Sequence, residues 1–391
     1  MNVLIATYLS PTSPSGVVTS TNILVNDLTS AGVNVHMVDA TNTPVIWRKC
    51  LGVLKRLMRP LGGAFYVVYD EFAYFTGIYL STRKLRQSHF DLIHAQDVRS
   101  GVAAWMALGR NTPVVLTCHF NDDPVHELVD THALKSGFTK QLTAWYRYLF
   151  SHVKNYLFGS EYAYIKSKHL LPGNINKLIL PNSVRLNAPV NAKETANPTE
   201  TGKLIICNVG YIDERKNQQL LLQIGRELIR RGTTNFHIRL IGDGPKRAEY
   251  TQMANQFSLT DYVTFYGQQA EPWRLVAQSD LYIHTSLNDN CPYSLIESFA
   301  VGTPVLALPV GGIPEMLPDG AGALHGATVV ELTDEVLTYF DAEKRQQLAR
   351  VQSAYAAKVF DSQINLDKML SFYRQLLGEP APAVAHLAPV S

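Results

Sequence analysis

Residues 288–317 read NDNCPYSLIESFAVGTPVLALPVGGIPEML, and this stretch decides the fold. Pro292 suits the first helical position, where its missing N–H costs nothing, and Gly302 with Pro304 suits the far end, so the pattern predicts a helix over Tyr293–Val301. Glu297 then lies inside that helix, eight residues after Asp289. The apolar run VLALPV, between Pro304 and Gly311, reads as a short buried parallel strand. In open α/β sheets, ligands bind where strand carboxyl ends meet helix amino ends, because unpaired N–H groups and the helix dipole favour phosphate there. Ionised Asp and Glu only accept hydrogen bonds, so Asp289 and Glu297 suit the hydroxyls of a ribose or a sugar.

Strand-like runs alternate with helical ones on both sides of this stretch. NVLIATYL, an amphipathic segment over 22–31, VNVHMVDA, FDLIHAQD, PVVLTCHF and NYLFGS form a first series. After residue 200 the pattern restarts with KLIICNVGY, a helix over 218–231, HIRLIGDG, a helix over 246–257, VTFYGQ, DLYIHTS and TPVLALPV. The expectation is an α/β fold of two Rossmann-like doubly wound parallel-sheet domains facing a cleft. A chain of 391 residues also exceeds the size at which one core keeps growing. Residues 1–188 are assigned to the first domain, 203–361 to the second, and 362–379 to a helix packing back toward the first. The polar segment 189–202, PVNAKETANPTETG, is read as a linker, and the Ala- and Pro-rich residues 380–391 as a loose tail.

A net charge of +2 with 46% apolar residues gives no general argument for nucleic acid as a partner. Cys50, Cys118, Cys207 and Cys291 match no zinc or redox spacing, which reads as scattered reduced thiols in the cytoplasm. The amino terminus lacks a basic flank, so NVLIATYL is a first strand and neither a signal nor an anchor. No D-x-D triplet and no His/Cys cluster of metal spacing occurs; neither a metal nor a cofactor is expected.

Two restarting Rossmann-like series, a D-x7-E pair, A-x-G-T-P-V and G-G-I-P-E resemble the family 4 retaining glycosyltransferases of the GT-B fold. The resemblance runs from the Gly16 turn through LIHAQD, LTCHF and LPNSV to VGYIDERKN, IGDGP and VTFYG. It implies that Asp289 sits by the donor sugar and that Glu297 binds the nucleotide ribose. Asp289 replaces the usual Glu, shortening the reach by about one methylene. The plain alternative is a helix-capping Asp and a solvated Glu.

The family's basic G-R-x4-K segment corresponds to Gly210–Lys216, with Tyr211 in place of Arg. Lys216 keeps register and Arg215 stands beside it, so a cation remains for the donor diphosphate. A basic pair at a helix start conflicts with the dipole unless an anion is present, which points to a ligand. His119, at the end of PVVLTC, corresponds to the family's His that contacts the donor sugar; His94 reads as satisfying local backbone. Gly16 fits close approach to a phosphate or acceptor, although such glycines commonly supply positive φ.

The implied site is therefore His119 and Asp289 as catalytic residues. Donor binding falls to Gly16, Arg215, Lys216, Asp289, Asn290, Cys291, Pro292, Tyr293, Ser294 and Glu297. Gly242–Pro245 is read as a strand-to-helix turn and Asn182 as structural. Gly312 and Glu315 are open between a turn and the sugar pocket, and Asp122 and Asp123 have no assigned role.

The implied reaction moves a sugar from a nucleotide-diphosphate donor to a glycan or lipid-linked acceptor in cell-envelope polysaccharide or glycoconjugate synthesis. A GT-B sugar-nucleotide epimerase and a degenerate non-catalytic glycan- or nucleotide-binding homologue are the alternatives. Residues 47–59, WRKCLGVLKRLMR, place Trp47, Cys50, Leu51, Val53, Leu54, Leu57 and Met58 on one arc and five cations on the other. That pattern suits peripheral contact with the inner face of the cytoplasmic membrane; a core-packed helix with a solvated basic face fits it as well.

Overall fold

A computed structural model of the chain describes residues 1–13, 15–185 and 202–379. The expected linker, apart from Gly202, and the expected tail lie outside the described residues. The chain divides into two compact units. One comprises residues 1–159, 164–180 and those from Gln363 onward; the other comprises 160–163 and 181–362.

The first unit runs β1 (Asn2–Ala6), α1 (Gly16–Ser30), β2 (Asn34–Val38), α2 (Val45–Met58), α3 (Gly63–Arg83), β3 (Leu92–Ala95), α4 (Val98–Ala107), β4 (Val114–Cys118), α5 (Pro124–Thr131), α6 (Ser136–Ser151), β5 (Asn155–Phe158), α7 (Glu161–Ser167) and β6 (Asn176–Ile179). Its sheet is parallel throughout, in the order β2-β1-β3-β4-β5-β6. Val3 to Ala6 are wholly buried, as a strand covered on both faces requires.

The second unit runs β7 (Leu204–Val209), α8 (Gln219–Arg230), β8 (Phe236–Ile241), α9 (Arg247–Gln256), β9 (Val263–Gly267), α10 (Pro272–Ala277), β10 (Leu281–His284), α11 (Tyr293–Ala300), β11 (Val305–Ala307), α12 (Ile313–Met316), α13 (Val329–Thr338) and α14 (Ala342–Val359). Its parallel sheet has the order β11-β10-β7-β8-β9. The chain turns back on itself between β7 and β10, and this switch point opens a crevice beyond the strand ends.

The last helix, α15 (Ser362–Leu377), returns to the first unit. Leu366, Met369, Leu370 and Tyr373 join Val3, Ile5, Leu92 and Val115 in one buried cluster. The division near the linker falls at Leu180/Pro181, earlier than the expected residue 188. The reason is local: Asn182 donates from Nδ2 to the Cys291 carbonyl at 2.6 Å, and Val184 bridges Asp361, which ties this segment to the second unit.

The predicted helix starts where expected, at Tyr293, with Pro292 as the residue ahead of its first turn, and ends one residue early, at Ala300. VLALPV forms a strand only over Val305–Ala307. Among the described residues no helix is long and apolar enough to cross a membrane.

Candidate functional site

In the second unit two loops meet at the switch point. The loop after β7 carries Arg215 and Lys216, and the loop after β10 carries Ser286 and Asp289. They are laced together: Leu287 N–H donates to the Arg215 carbonyl at 2.8 Å, and Thr285 Oγ1 donates to the Lys216 carbonyl at 2.8 Å. Asp213 Oδ1 accepts from the Lys216 N–H at 2.7 Å, which shapes the turn before α8 begins at Gln219.

Asp289 is 5% exposed and is the centre of this site. Its Oδ2 accepts from Lys216 Nζ, from His284 Nε2 at 3.1 Å and from Ser286 Oγ at 3.2 Å, while an Arg215 guanidinium nitrogen lies 4.0 Å from Oδ1. Burial pushes the carboxyl pKa up, but the Lys216 charge and the His284 hydrogen bond outweigh it and hold the group well below the usual range. Burial also lowers the pKa of His284, against the pull of Asp289, so the neutral ring donates from Nε2. The basic pair thus precedes α8 instead of opening it, and the anion it faces is Asp289 of its own unit. Against that one carboxylate stand two cations, of which Arg215 has a side chain 41% exposed. The surplus positive charge points outward.

The double glycine supports this carboxylate from behind. A Cβ on Gly311, whose φ is +59°, would lie 2.0 Å from the Asp289 carbonyl oxygen, and one on Gly312 would lie 2.4 Å from that of Asn290. Backbone can pack here only against glycine. The Gly242 turn makes the same close approach to Gly210, with φ +139° and a Cβ position 1.9 Å from the Gly210 carbonyl.

At the amino end of α11, Pro292 offers no side-chain cap. Asn290 is buried, and its Oδ1 accepts from Ser160 Oγ. Ser294 Oγ accepts from Tyr282 Oη at 2.9 Å. The Cys291 thiol is buried and pushed up to about 12, which leaves it inert. One turn further, Glu297 is half-buried, and burial alone raises its carboxyl to about 7, with no cation to hold the charge. Glu315 goes to structure: its carboxylate accepts from the N–H groups of Glu161 and Tyr162, each at 2.8 Å.

In the first unit a cavity of about 270 Å³ opens at the carboxyl ends of β1, β3 and β4, lined in part by Tyr8, Gln96, Asp97, Arg99, His119 and Phe120. His119 donates from Nε2 to Gln96 Oε1 at 2.8 Å, and burial lowers its pKa to about 4, so the ring is neutral. Gln96 is 3% exposed, and its amide Nε2 has no hydrogen-bond partner among the described residues. The floor is a buried ion pair, Arg99 to Glu71 at 2.8 Å, with Trp145 and Tyr146 also donating to Glu71. Gly16 opens α1 behind the Ser15 cap with ordinary φ, and a Cβ there would meet nothing within 4 Å. Positive φ does not explain this glycine.

His94 is a core residue, held by Thr117 Oγ1 at 2.6 Å and by the Tyr373 hydroxyl. Asp123 caps α5 through the N–H groups of Val125 and His126, and Asp122 pairs with Lys166 at 3.1 Å. The structure adds three members that sequence reading passed over: Gln96, His284 and Ser286. All three stand at strand ends within quoted runs, LIHAQD and DLYIHTS, and that position was their only signal.

Comparison with known proteins bears on both units. The chain matches the family described as Glycosyltransferase Family 4 over residues 14–169 and that described as Glycosyl transferases group 1 over residues 190–356. The putative glycosyltransferase EpsF of Bacillus subtilis is 28% identical over 222 residues, 56% of each chain. N-acetyl-alpha-D-glucosaminyl L-malate synthase of Bacillus anthracis is 30% identical over 138 residues, 35% of this chain and 36% of that one. The matched region thus spans about half, or less, of these curated relatives.

Among solved structures, HepE of Anabaena in complex with UDP and glucose superposes with a TM-score of 0.69 at 16% identity, covering 96% of this chain and 100% of that one. Sucrose-phosphate synthase of Thermosynechococcus elongatus reaches 0.74 at 16% identity, covering 96% and 99%. Both units are covered by matches to glycosyltransferase families, and the whole chain superposes on solved glycosyltransferases: the chain belongs to the family 4 glycosyltransferases and has the GT-B fold.

Proposed function

We propose that this protein is a retaining glycosyltransferase that moves a sugar from a nucleotide-diphosphate donor to a glycan or lipid-linked acceptor, in cell-envelope polysaccharide or glycoconjugate synthesis at the inner face of the cytoplasmic membrane. The observation that carries the reading is the cation surplus at the switch point, where Arg215 and Lys216 share the single carboxylate of Asp289 ahead of the uncapped amino end of α11. Anions are stabilised at such a place by the helix dipole and by charge-assisted hydrogen bonds. The HepE complexes with UDP and with UDP-glucose make uridine diphosphate sugars the first donors to try.

In this reading Arg215 and Lys216 take up charge on the leaving diphosphate, and no divalent metal is required of the site. Glu297 accepts hydrogen bonds from the ribose hydroxyls. Asp289 orients the two cations beside the donor sugar, and His119 is assigned as the catalytic residue of the first unit. The acceptor hydroxyl attacks the anomeric carbon on the face that the leaving phosphate vacates. The C–O bond to phosphate breaks, the new glycosidic bond forms, and the leaving phosphate takes the acceptor proton. No carboxylate is assigned as a nucleophile, so the two-carboxylate glycosidase scheme does not apply.

The test is calorimetry with a panel of nucleotide diphosphates and their sugars, followed by product analysis. Binding of at least one donor, weakened at least about tenfold by Lys216→Ala, supports the reading. Neither binding nor turnover across the panel sinks it, and conversion of the donor sugar with no acceptor present turns it into an epimerase.

A further inference from the structure

The amphipathic arc seen in residues 47–59 does not stay together in the folded protein. Leu51, with Leu54 and Met58, packs against Tyr69 and Ala73 of α3. At 100° per residue those three α2 positions occupy one arc of about 60°. Ile46, Cys50, Val53 and Leu57 occupy a separate arc of about the same width, and all four are exposed, Ile46 at 76% and Leu57 at 64%. Core packing therefore accounts for half of the apolar surface of α2 and leaves the other half in solvent.

The exposed stripe continues on the neighbouring helix. Phe65, Val68 and Phe72 share one face of α3 and are exposed, as is Leu61 in the connecting turn. Lys55 sits over the Tyr66 ring, 5.5 Å from its centre, while Leu51 packs at Tyr69 and Ala73, so the two helices run back along each other. Lys55 and Tyr66 lie on one side of that seam. Ile46, Val53 and Leu57 of α2 and Phe65 and Phe72 of α3 lie on the other, where the two stripes join. Phe65 and Phe72 leave about half of their surface in solvent within one patch, and contiguous patches of this kind mark interaction surfaces.

The charge beside the patch selects the occupant. Arg48, Lys49, Lys55, Arg56 and Arg59 are all exposed, and the segment from Val45 to Arg59 holds no acidic residue. Lys49 and Arg56 border the exposed stripe directly on the helical wheel. A protein partner with a matching apolar face would be met by apolar side chains alone; an apolar interior beneath an anionic layer matches both parts of this surface.

We infer that the α2–α3 hairpin is a docking surface for an anionic lipid bilayer, with Ile46, Val53, Leu57, Leu61, Phe65 and Phe72 entering the acyl boundary and the α2 cations meeting the headgroups. The inference rests on the transferase reading for its purpose, since a lipid-linked acceptor would be presented at that surface.

The test is vesicle flotation of the full chain on phosphatidylcholine vesicles with and without phosphatidylglycerol. The protein should float with the anionic vesicles only, and high salt should weaken that binding. Val53→Glu with Leu57→Glu, and separately Lys49→Glu with Arg56→Glu, should each lower the bound fraction at least about tenfold, with circular dichroism unchanged because both pairs are exposed. Lys344→Glu, an exposed position on α14, should leave flotation unchanged. Wild-type protein that stays at the bottom with anionic vesicles overturns the inference, as does full flotation of both double variants. Dimerisation abolished by the same substitutions also overturns it, by showing that a second copy covers the patch. Donor calorimetry on the same samples keeps the two claims apart: lost donor binding counts against the transferase, whereas lost flotation counts only against the surface.

Discussion

Lys216 and Asp289 form a buried ion pair across the switch point of the second sheet, with side chains 13% and 7% exposed. Breaking one side of a buried pair leaves an uncompensated charge, a loss of about 3 to 5 kcal/mol. Asp289→Ala should lower stability by that order in urea unfolding. Lys216→Ala should cost less, because His284 and Ser286 still serve the carboxylate. The double variant should be more stable than the sum of the two losses predicts; simple additivity would show that the pair is not coupled.

On the proposed reading, Glu297 gives donor binding a pH dependence of known sign. Its folded pKa is raised to about 7 by burial, so its ionised, hydrogen-bond-accepting form is lost as pH falls through 7. Donor affinity should fall about tenfold between about pH 8 and about pH 6, and Glu297→Gln should flatten that profile. Stability runs the other way. The native state binds the proton more tightly than the unfolded chain, so this group's contribution declines as pH rises from the ordinary carboxylate range to about 7. Glu297→Gln should therefore stabilise the protein more at alkaline than at acidic pH. A parallel pair of melting curves across pH would contradict the assignment.

Gln96 holds an amide donor in the first-unit cavity that no group of the described residues satisfies. A ligand hydroxyl would meet that need. Gln96→Leu should reduce kcat/KM for transfer about ten- to a hundredfold, the range expected when a hydrogen bond to substrate is removed from a buried site. Its melting temperature should stay level or rise, since an unpaired buried donor disappears. Unchanged kinetics would leave the amide with a structural role only.

Gly16 and Gly311 separate two uses of glycine. Gly311→Ala places a methyl group into the Asp289 carbonyl and should destabilise the second unit. Gly16→Ala meets open space at ordinary φ, so its melting should be unchanged. Should turnover of the Gly16 variant drop at equal stability, the space beside α1 belongs to a substrate. Full activity removes Gly16 from the site.

The sheets were legible from sequence because buried parallel strands are written as unbroken apolar runs, and NVLIA or LIICNV needs no context to be read. Asp289, Lys216 and Glu297 were legible because they stand in ordered motifs. What could not be read was how they are used. Nothing in the order of residues shows that Lys216 reaches Asp289, that His284 turns its Nε2 to the same oxygen, or that Glu297 has no cation beside it. The helix over residues 47–59 shows the same limit. Its apolar arc was visible, but the partition of that arc between Leu51 inside and Leu57 outside depends on α3, whose contacts are long-range. Glu315 was undecided between turn and sugar pocket, and the N–H groups it caps lie about 150 residues earlier in the chain.

The return of α15 has a consequence for how this protein can be divided or recombined. Tyr373 reaches the His94 ring, and Leu366, Met369 and Leu370 complete the core under β1 and β3. The first unit is therefore written in two separated pieces of the gene. A fragment ending at Leu180 would expose the apolar surface that α15 covers, and an exchange of first units between relatives would succeed only if the closing helix travelled with the first 180 residues. The two ends of the chain thus act as one structural piece, whereas the second unit is one long stretch, Pro181 to Ser362, that still leans on residues 160–163 through Asn290 and Glu315.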